Sequence, residues 1–110
     1  MTVVCMKVLM NDNLRELYAT GRSRLYRVVE RTPELREGFV RAIRIMINAV
    51  NIQELKAYSF LHYERLKHEW SGYSSVRLSN RYVHRLIFKE NNDLLEIQII
   101  DINDSHYGNK

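Results

Sequence analysis

The stretch of residues 33–50 has a helical periodicity that limits the folds open to this chain. A threonine, Thr32, precedes Pro33, and an N-cap threonine followed by proline is a typical helix start. The apolar residues then recur at spacings of three and four: Leu35, Phe39, Ala42, Ile43, Met46, Ile47 and Val50. The pattern predicts one amphipathic helix over residues 33–50, whose apolar stripe must pack against another layer.

The second half of the chain is typical of β-structure. Residues 73–78, 82–88 and 94–102 are rich in β-branched and aromatic residues, and turn-forming residues separate them at 79–81 and 90–93. Helices followed by strands predict an α+β fold, with N-terminal helices packed on one face of a small twisted antiparallel sheet.

The remaining segments give weaker signals. We interpret residues 1–13 as an N-terminal extension of a single domain over residues 14–110. Within that domain, residues 14–20 are interpreted as a short first strand ended by Gly21, and residues 23–30 as compatible with a helix. Residues 57–69 are interpreted as a loop with one short turn.

Length and composition exclude several classes of protein. A chain of 110 residues and 13.2 kDa allows one domain, and no run approaches the length of a membrane span. A single cysteine, Cys5, cannot build a disulfide framework or a zinc site, and no signal peptide is recognisable. We therefore expect a cytoplasmic protein that has no metal or other cofactor.

The charge distribution indicates an anionic partner. Lys and Arg number 17 against 13 Asp and Glu, and most of the cations are arginines, whose planar fork suits phosphate. Residues 63–89 carry six basic and two acidic residues, whereas residues 90–104 carry five acidic residues and no basic ones. The middle segment is therefore a candidate surface for nucleic acid or an acidic protein.

The polar residues of this region suit metal-independent cleavage of RNA through its own 2′-hydroxyl. That reaction needs a base for the 2′-OH proton, cations around the phosphorane and an acid for the leaving 5′-oxygen. Glu64 is a candidate base and His106 a candidate acid, because histidine titrates near neutral pH. Lys67, Arg77 and Arg85 are candidates for the cationic clamp.

Several short segments carry a family resemblance. The sequence resembles the RelE/ParE superfamily of toxins in three strings: LKHEWSGYSSVRL at 66–78, HRLIF at 84–88 and DSHY at 104–107. These motifs are most similar to those of the YoeB branch. The strings ELYATG at 16–21 and SVR at 75–77 are similar to HigB-like members. The resemblance implies the toxin of a type II toxin–antitoxin pair, with helices on a twisted antiparallel sheet. Most such toxins are endoribonucleases that cut mRNA in the ribosomal A site.

The resemblance also implies roles for individual residues. Glu64 matches the general base and Lys67 the lysine of the LK pair. Arg85 is expected on the scissile phosphate, His106 matches the general acid, and Tyr107 matches a terminal aromatic that stacks on or orients a base.

The spacing of the basic residues before Arg85 departs from the family pattern. Arg77 matches a second basic position on the neighbouring strand, but two extra residues separate it from Arg85. Arg81, His84 and Arg85 are therefore alternatives for the position that faces the cleft, and Arg81 stays among the RNA-binding candidates.

The resemblance leaves two other functions open. ParE-type members share the fold but lack the set of nucleolytic residues, and they poison DNA gyrase. A degenerate relative would keep only antitoxin binding. The expected partners of the nuclease are a cognate antitoxin with an acidic segment, mRNA, and the ribosome with its 16S rRNA. A homodimer or a toxin–antitoxin hetero-oligomer is compatible with the sequence, and no membrane partner is expected.

Overall fold

The computed structural model describes residues 5–91 and 93–104. Within these ranges the helices are α1 (Asp12–Thr20), α2 (Arg27–Arg31), α3 (Pro33–Asn48) and α4 (Ile52–Lys56). The strands are β1 (Lys7–Leu9), β2 (Glu64–Arg65), β3 (Ser74–Arg77), β4 (Arg85–Asn91) and β5 (Glu96–Asn103). Short 3-10 turns at Ser59–Leu61 and His68–Trp70 flank β2. The candidates His106 and Tyr107 lie outside the described residues.

The strands form one sheet in the order β1-β5-β4-β3-β2. Strands β2 to β5 pair antiparallel in succession, whereas β1 pairs parallel with β5. The predicted α+β fold is confirmed, and the sheet differs from the prediction in being mixed. The parallel pair is possible because the helices carry the chain from β1 at one edge to β2 at the other. Strand β1 of this parallel pair lies within residues 1–13, so the segment that we interpreted as an N-terminal extension contributes a strand to the sheet.

The core forms where α3 packs on the sheet. The predicted helix over residues 33–50 is confirmed, although it ends at Asn48, and Ile47 is 39% exposed rather than part of the buried stripe. The buried apolar residues of α3 share one core with strand residues that include Val76, Leu86 and Phe88; they are Leu35, Phe39, Ala42, Ile43 and Met46. One face of the sheet is therefore covered by helices, and the other face carries mostly polar side chains around the buried Ile87.

The strand predicted at residues 14–20 is wrong, because this segment belongs to α1. The side chain of Asn11 accepts a hydrogen bond from the Leu14 amide at 2.9 Å, which caps the start of the helix. At its end Gly21 has a φ of 77° and donates its N–H to the Leu17 carbonyl at 2.9 Å. Leu14 and Leu17 are one helical turn apart and both are buried, so the spacing of three indicates a helix face.

Several boundaries in the second half differ from prediction: β4 begins at Arg85 rather than at residue 82, and β5 begins at Glu96 rather than at residue 94. The loop predicted at residues 57–69 contains β2, and the predicted turn at 90–93 begins later because β4 continues to Asn91. Cross-strand pairing fixes both: Glu64 and Arg65 pair with Ser75 and Ser74, and Asn91 pairs with Glu96. Among the described helices none is both long and apolar enough to cross a membrane.

Candidate active site

The face of the sheet away from α3 carries a cluster of polar and charged side chains. Glu64 of β2 lies opposite Ser75 of β3, and Arg77 of β3 lies opposite Arg85 of β4. Because side chains alternate along a strand, these four share one face, while the intervening Val76 turns to the core. The register thus brings together three of the residues that sequence reasoning selected: Glu64, Arg77 and Arg85.

The guanidinium of Arg85 is held by several contacts at once. Its Nε donates to Ser75 Oγ at 2.7 Å, and its Nη2 donates to the His62 carbonyl at 2.6 Å. The same Nη2 lies 3.2 Å from Glu64 Oε1. The Arg85 side chain is only 11% exposed, whereas that of Glu64 is 56% exposed. Arg85 is therefore a fixed cation, and the carboxylate beside it remains accessible from solvent.

The backbone at His62 contributes to this arrangement. His62 has a φ of 47°, in the left-handed region that residues other than glycine adopt uncommonly. The turn ends the Ser59–Leu61 segment, and the His62 carbonyl accepts the bond from Arg85. Unusual backbone conformations of this kind concentrate at functional sites, where the surrounding contacts maintain them.

Arg77 lies directly opposite Arg85 in the ladder. Like charges in directly opposite positions destabilise a sheet unless an anion lies nearby. Within the described residues, the Nε of Arg77 is buried and has no hydrogen-bond partner. Arg77 and Arg85 therefore share a surface on which Glu64 contacts one of them, and paired guanidinium groups of this kind can bind an oxyanion.

The other basic candidates lie apart from this cluster or at its margin. Arg81 is in the loop between β3 and β4, with its side chain 78% exposed and its Nη1 3.4 Å from Glu34 Oε1 at the start of α3. Lys67 is exposed on the loop that follows β2. The two extra residues before Arg85 fall in the β3–β4 loop, and the pairing of Arg77 with Arg85 is continuous despite them.

His84 contributes to a different part of the surface. It helps to line a cleft of about 320 Å³ together with Tyr26 and Asp101. Burial lowers the pKa of His84, although Asp104 partly opposes this effect. The Tyr26 hydroxyl donates to Asp101 Oδ1 at 2.7 Å, and burial together with this carboxylate raises the pKa of Tyr26. Sequence reasoning missed the Tyr26–Asp101 pair, because its members are far apart in the chain.

We expect Tyr26→Phe to weaken the loss of stability at alkaline pH. A phenol whose pKa is raised in the folded state contributes stability that is fully present below about pH 10 and is lost as the pH rises further. Between pH 9 and pH 11 the wild type should lose about 1 kcal/mol more than the variant, after allowance for partial exposure. Urea unfolding across this pH range measures the difference. The exposed Tyr58→Phe is the control, and equal pH dependence in Tyr26→Phe and wild type would contradict the prediction.

The described residues contain no group of three or more His, Cys, Asp or Glu side chains placed to hold a metal ion. No family sequence model matches the chain, and no curated protein sequence matches it.

Solved structures, in contrast, share the whole fold. A YoeB/ParE toxin from Agrobacterium tumefaciens is 19% identical, with a TM-score of 0.55 over 92% of this chain and 100% of that one. This chain has a RelE/YoeB-like fold. A YoeB dimer from Staphylococcus aureus is similar, at 18% identity and a TM-score of 0.51 over 94% of this chain and 100% of that one. So is a chain of the toxin–antitoxin complex RelBE2 from Mycobacterium tuberculosis, at 15% identity and a TM-score of 0.51 over 93% and 100%.

The RelE/YoeB-like fold is the one that the strings at 66–78 and 84–88 led us to expect, so that expectation is confirmed. The first of these strings includes β3, and the second includes the start of β4. The strings therefore correspond to the part of this fold in which Arg77 and Arg85 face each other.

Proposed function

We propose that this chain is the toxin of a toxin–antitoxin pair and a metal-independent endoribonuclease that cleaves mRNA in the ribosomal A site. The observation that carries the proposal is the contact of the accessible Glu64 carboxylate with the fixed Arg85 guanidinium, beside a second guanidinium at Arg77. A base and paired cations on one surface are what attack by a 2′-hydroxyl on a phosphodiester requires.

The charge arrangement suggests how substrate would prepare the base. Without RNA, Glu64 balances Arg85 at 3.2 Å. A phosphate that binds between Arg77 and Arg85 supplies the missing negative charge and competes with Glu64 for Arg85. The Glu64 carboxylate is then available to accept a proton.

In the proposed reaction Glu64 removes the proton of the 2′-hydroxyl, and the 2′-oxygen attacks the adjacent phosphorus. Arg85 and Arg77 stabilise the extra charge of the phosphorane, with Lys67 as a further cation at the margin. The bond to the 5′-oxygen breaks, and His106 gives that oxygen a proton. The products are a 2′,3′-cyclic phosphate and a 5′-hydroxyl end.

The position of the last strand supports the role given to His106. Asn103 at the end of β5 lies directly opposite Arg85. Three residues of extended chain span at most about 10 Å, so the length of chain after Asn103 permits the proposed role of His106 at this phosphate site. Tyr107, the proposed base-stacking residue, is one residue further.

The partner that we propose is an antitoxin whose acidic segment covers the basic surface around Arg77 and Arg85. Two observations support it. The segment 63–89 is strongly basic, and a similar fold occurs in RelBE2 from M. tuberculosis, which is a toxin–antitoxin complex. Association as a homodimer is also proposed, since the similar S. aureus YoeB is a dimer.

We expect Glu64→Gln to slow cleavage of ribosome-bound mRNA by about 100-fold, the lower range for loss of a general base. The amide keeps the shape of the side chain but cannot accept the 2′-OH proton. Quantified cleavage products from purified ribosomes measure the change, and circular dichroism checks the fold. Glu69→Gln is the matched control, because Glu69 is an exposed glutamate five positions further along the chain.

Two results in growing cells would contradict the proposed nuclease activity. If cells that produce Glu64→Gln and His106→Gln still stop growing while their mRNA stays intact, a ParE-like action on gyrase replaces the proposal. If the wild type itself neither stops growth nor cleaves mRNA, the chain is a degenerate relative that binds antitoxin.

A further inference from the structure

A buried carboxylate lies behind Glu64, on the core side of the sheet. Glu90 of β4 contacts both chain neighbours of Glu64: the Tyr63 hydroxyl donates to Glu90 Oε2, and Arg65 Nη1 lies 3.5 Å from Glu90 Oε1. The Glu90 side chain is 5% exposed. A buried carboxylate costs free energy unless hydrogen bonds and a cation satisfy it, so this group depends on its partners.

A third group completes the cluster. Ser74 of β3, which pairs with Arg65 across the ladder, donates its hydroxyl to Glu90 Oε2 at 2.5 Å. The Tyr63 ring also packs against Phe88, with ring centroids 6.2 Å apart. Burial and the bond to Glu90 raise the pKa of Tyr63, so its hydroxyl keeps the proton that it donates. The Glu90 carboxylate of β4 is thus contacted by side chains from β3, from β2 and from the residue that precedes β2.

Strand β2 needs such a cluster because it is short. It consists of two residues at the edge of the sheet, and in the described part of the chain it pairs with β3 through Glu64–Ser75 and Arg65–Ser74. A slip of one residue in a strand turns every side chain to the opposite face. For β2, that slip would turn Glu64 to the core and away from Arg85.

We propose that Glu90 is a positioning residue which, through Tyr63 and Arg65, fixes the register of β2 and holds the Glu64 carboxylate beside Arg85. This inference rests on the proposed function, in which Glu64 is the base. Glu90 does not reach the reacting atoms, because it lies on the opposite face of the sheet. The sequence offered no sign of this role, since Glu90 precedes Asn91 and was interpreted as part of a turn.

The test is a double-mutant cycle with Tyr63→Phe, which removes the hydroxyl and keeps the ring. In the protein that keeps Glu64, we expect Tyr63→Phe to lower kcat by about tenfold to 100-fold and to change KM by less than about twofold. This is the pattern expected when a catalytic group is displaced. In the Glu64→Gln background Tyr63→Phe should lower kcat by less than about twofold, because the carboxylate that Tyr63 helps to position is already absent. Glu90→Gln should behave in the same way, and Tyr58→Phe is the control.

The outcomes separate this inference from the proposed function. Equal losses from Tyr63→Phe in the two backgrounds, or no loss at all, would overturn the positioning role and leave the nuclease intact. If Glu64→Gln itself keeps full activity, the proposed base is wrong.

Hydrogen exchange provides a readout that does not depend on activity. The Leu66 amide donates to the Tyr73 carbonyl at 2.9 Å, next to β2. We expect this amide to exchange faster in Tyr63→Phe while the amides of α3 keep their protection. Unchanged protection of Leu66 would overturn the proposal whatever the cleavage assays give.

Discussion

Replacing Arg85 with lysine is expected to lower the rate of mRNA cleavage by about 1,000-fold, the upper range for loss of one preorganised donor to a transition state. The guanidinium binds Ser75 and the His62 carbonyl and contacts Glu64 from one rigid plane. Lysine has a single ammonium on a flexible stem, so it cannot keep these contacts and also bind two oxygens of a phosphorane. Single-turnover cleavage on programmed ribosomes measures the rate.

Arg15→Lys is the control for this substitution. Arg15 lies in α1, away from the proposed site residues, and its exposed guanidinium pairs with Asp12. We expect its rate to stay within about twofold of wild type, as for an exposed ion pair. A folded Arg85→Lys that cleaves within about tenfold of wild type would contradict the role of Arg85.

Replacing Gly38 with alanine is expected to destabilise the protein by about 3 kcal/mol, the upper range for overpacking a core. Gly38 lies in α3 where the helix meets the backbone that follows β3, and a Cβ there would overlap the carbonyl oxygen of Leu78. Backbone cannot move aside as a flexible side chain can. Alanine would otherwise favour a helix interior by about 1 kcal/mol, so the expected sign is the reverse of helix propensity.

Urea unfolding of Gly38→Ala measures this effect, with Glu37→Ala as the control. Glu37 is the exposed neighbour in the same helix, and its replacement should change stability by about 0.5 kcal/mol or less. A Gly38→Ala protein as stable as wild type would show that α3 and Leu78 can separate without cost.

Local signals were strong enough to predict some elements from the sequence. The helix α3 has a threonine–proline start and a long apolar stripe, and β3 to β5 have alternating patterns with turn residues between them. The helix α1 was missed because it is nine residues long and buries a single pair of leucines, Leu14 and Leu17. Strand β2 was missed because two residues carry no periodicity, and pairing with β3 defines it.

Part of the candidate site could also be predicted from the sequence. We selected Glu64, Arg77 and Arg85 from their residue types and from the family motifs, and the sheet register brings them to one face. The His62 carbonyl was not selected, because a backbone acceptor has no residue-type signature. Arg81 was selected as an alternative to Arg85 for the position that faces the cleft, and in the structure it lies on the β3–β4 loop with its Nη1 3.4 Å from Glu34 Oε1.

The parallel pairing of β1 with β5 has a consequence for biosynthesis. Lys7 pairs with Glu96, so the first described strand completes its ladder only after the chain has been made as far as β5 and has left the translating ribosome. The Arg77–Arg85 ladder likewise requires β4, which emerges long after α3. The β1–β5 contacts are distant in sequence and therefore form slowly, so the sheet stays incomplete in a nascent chain that has not yet reached β5.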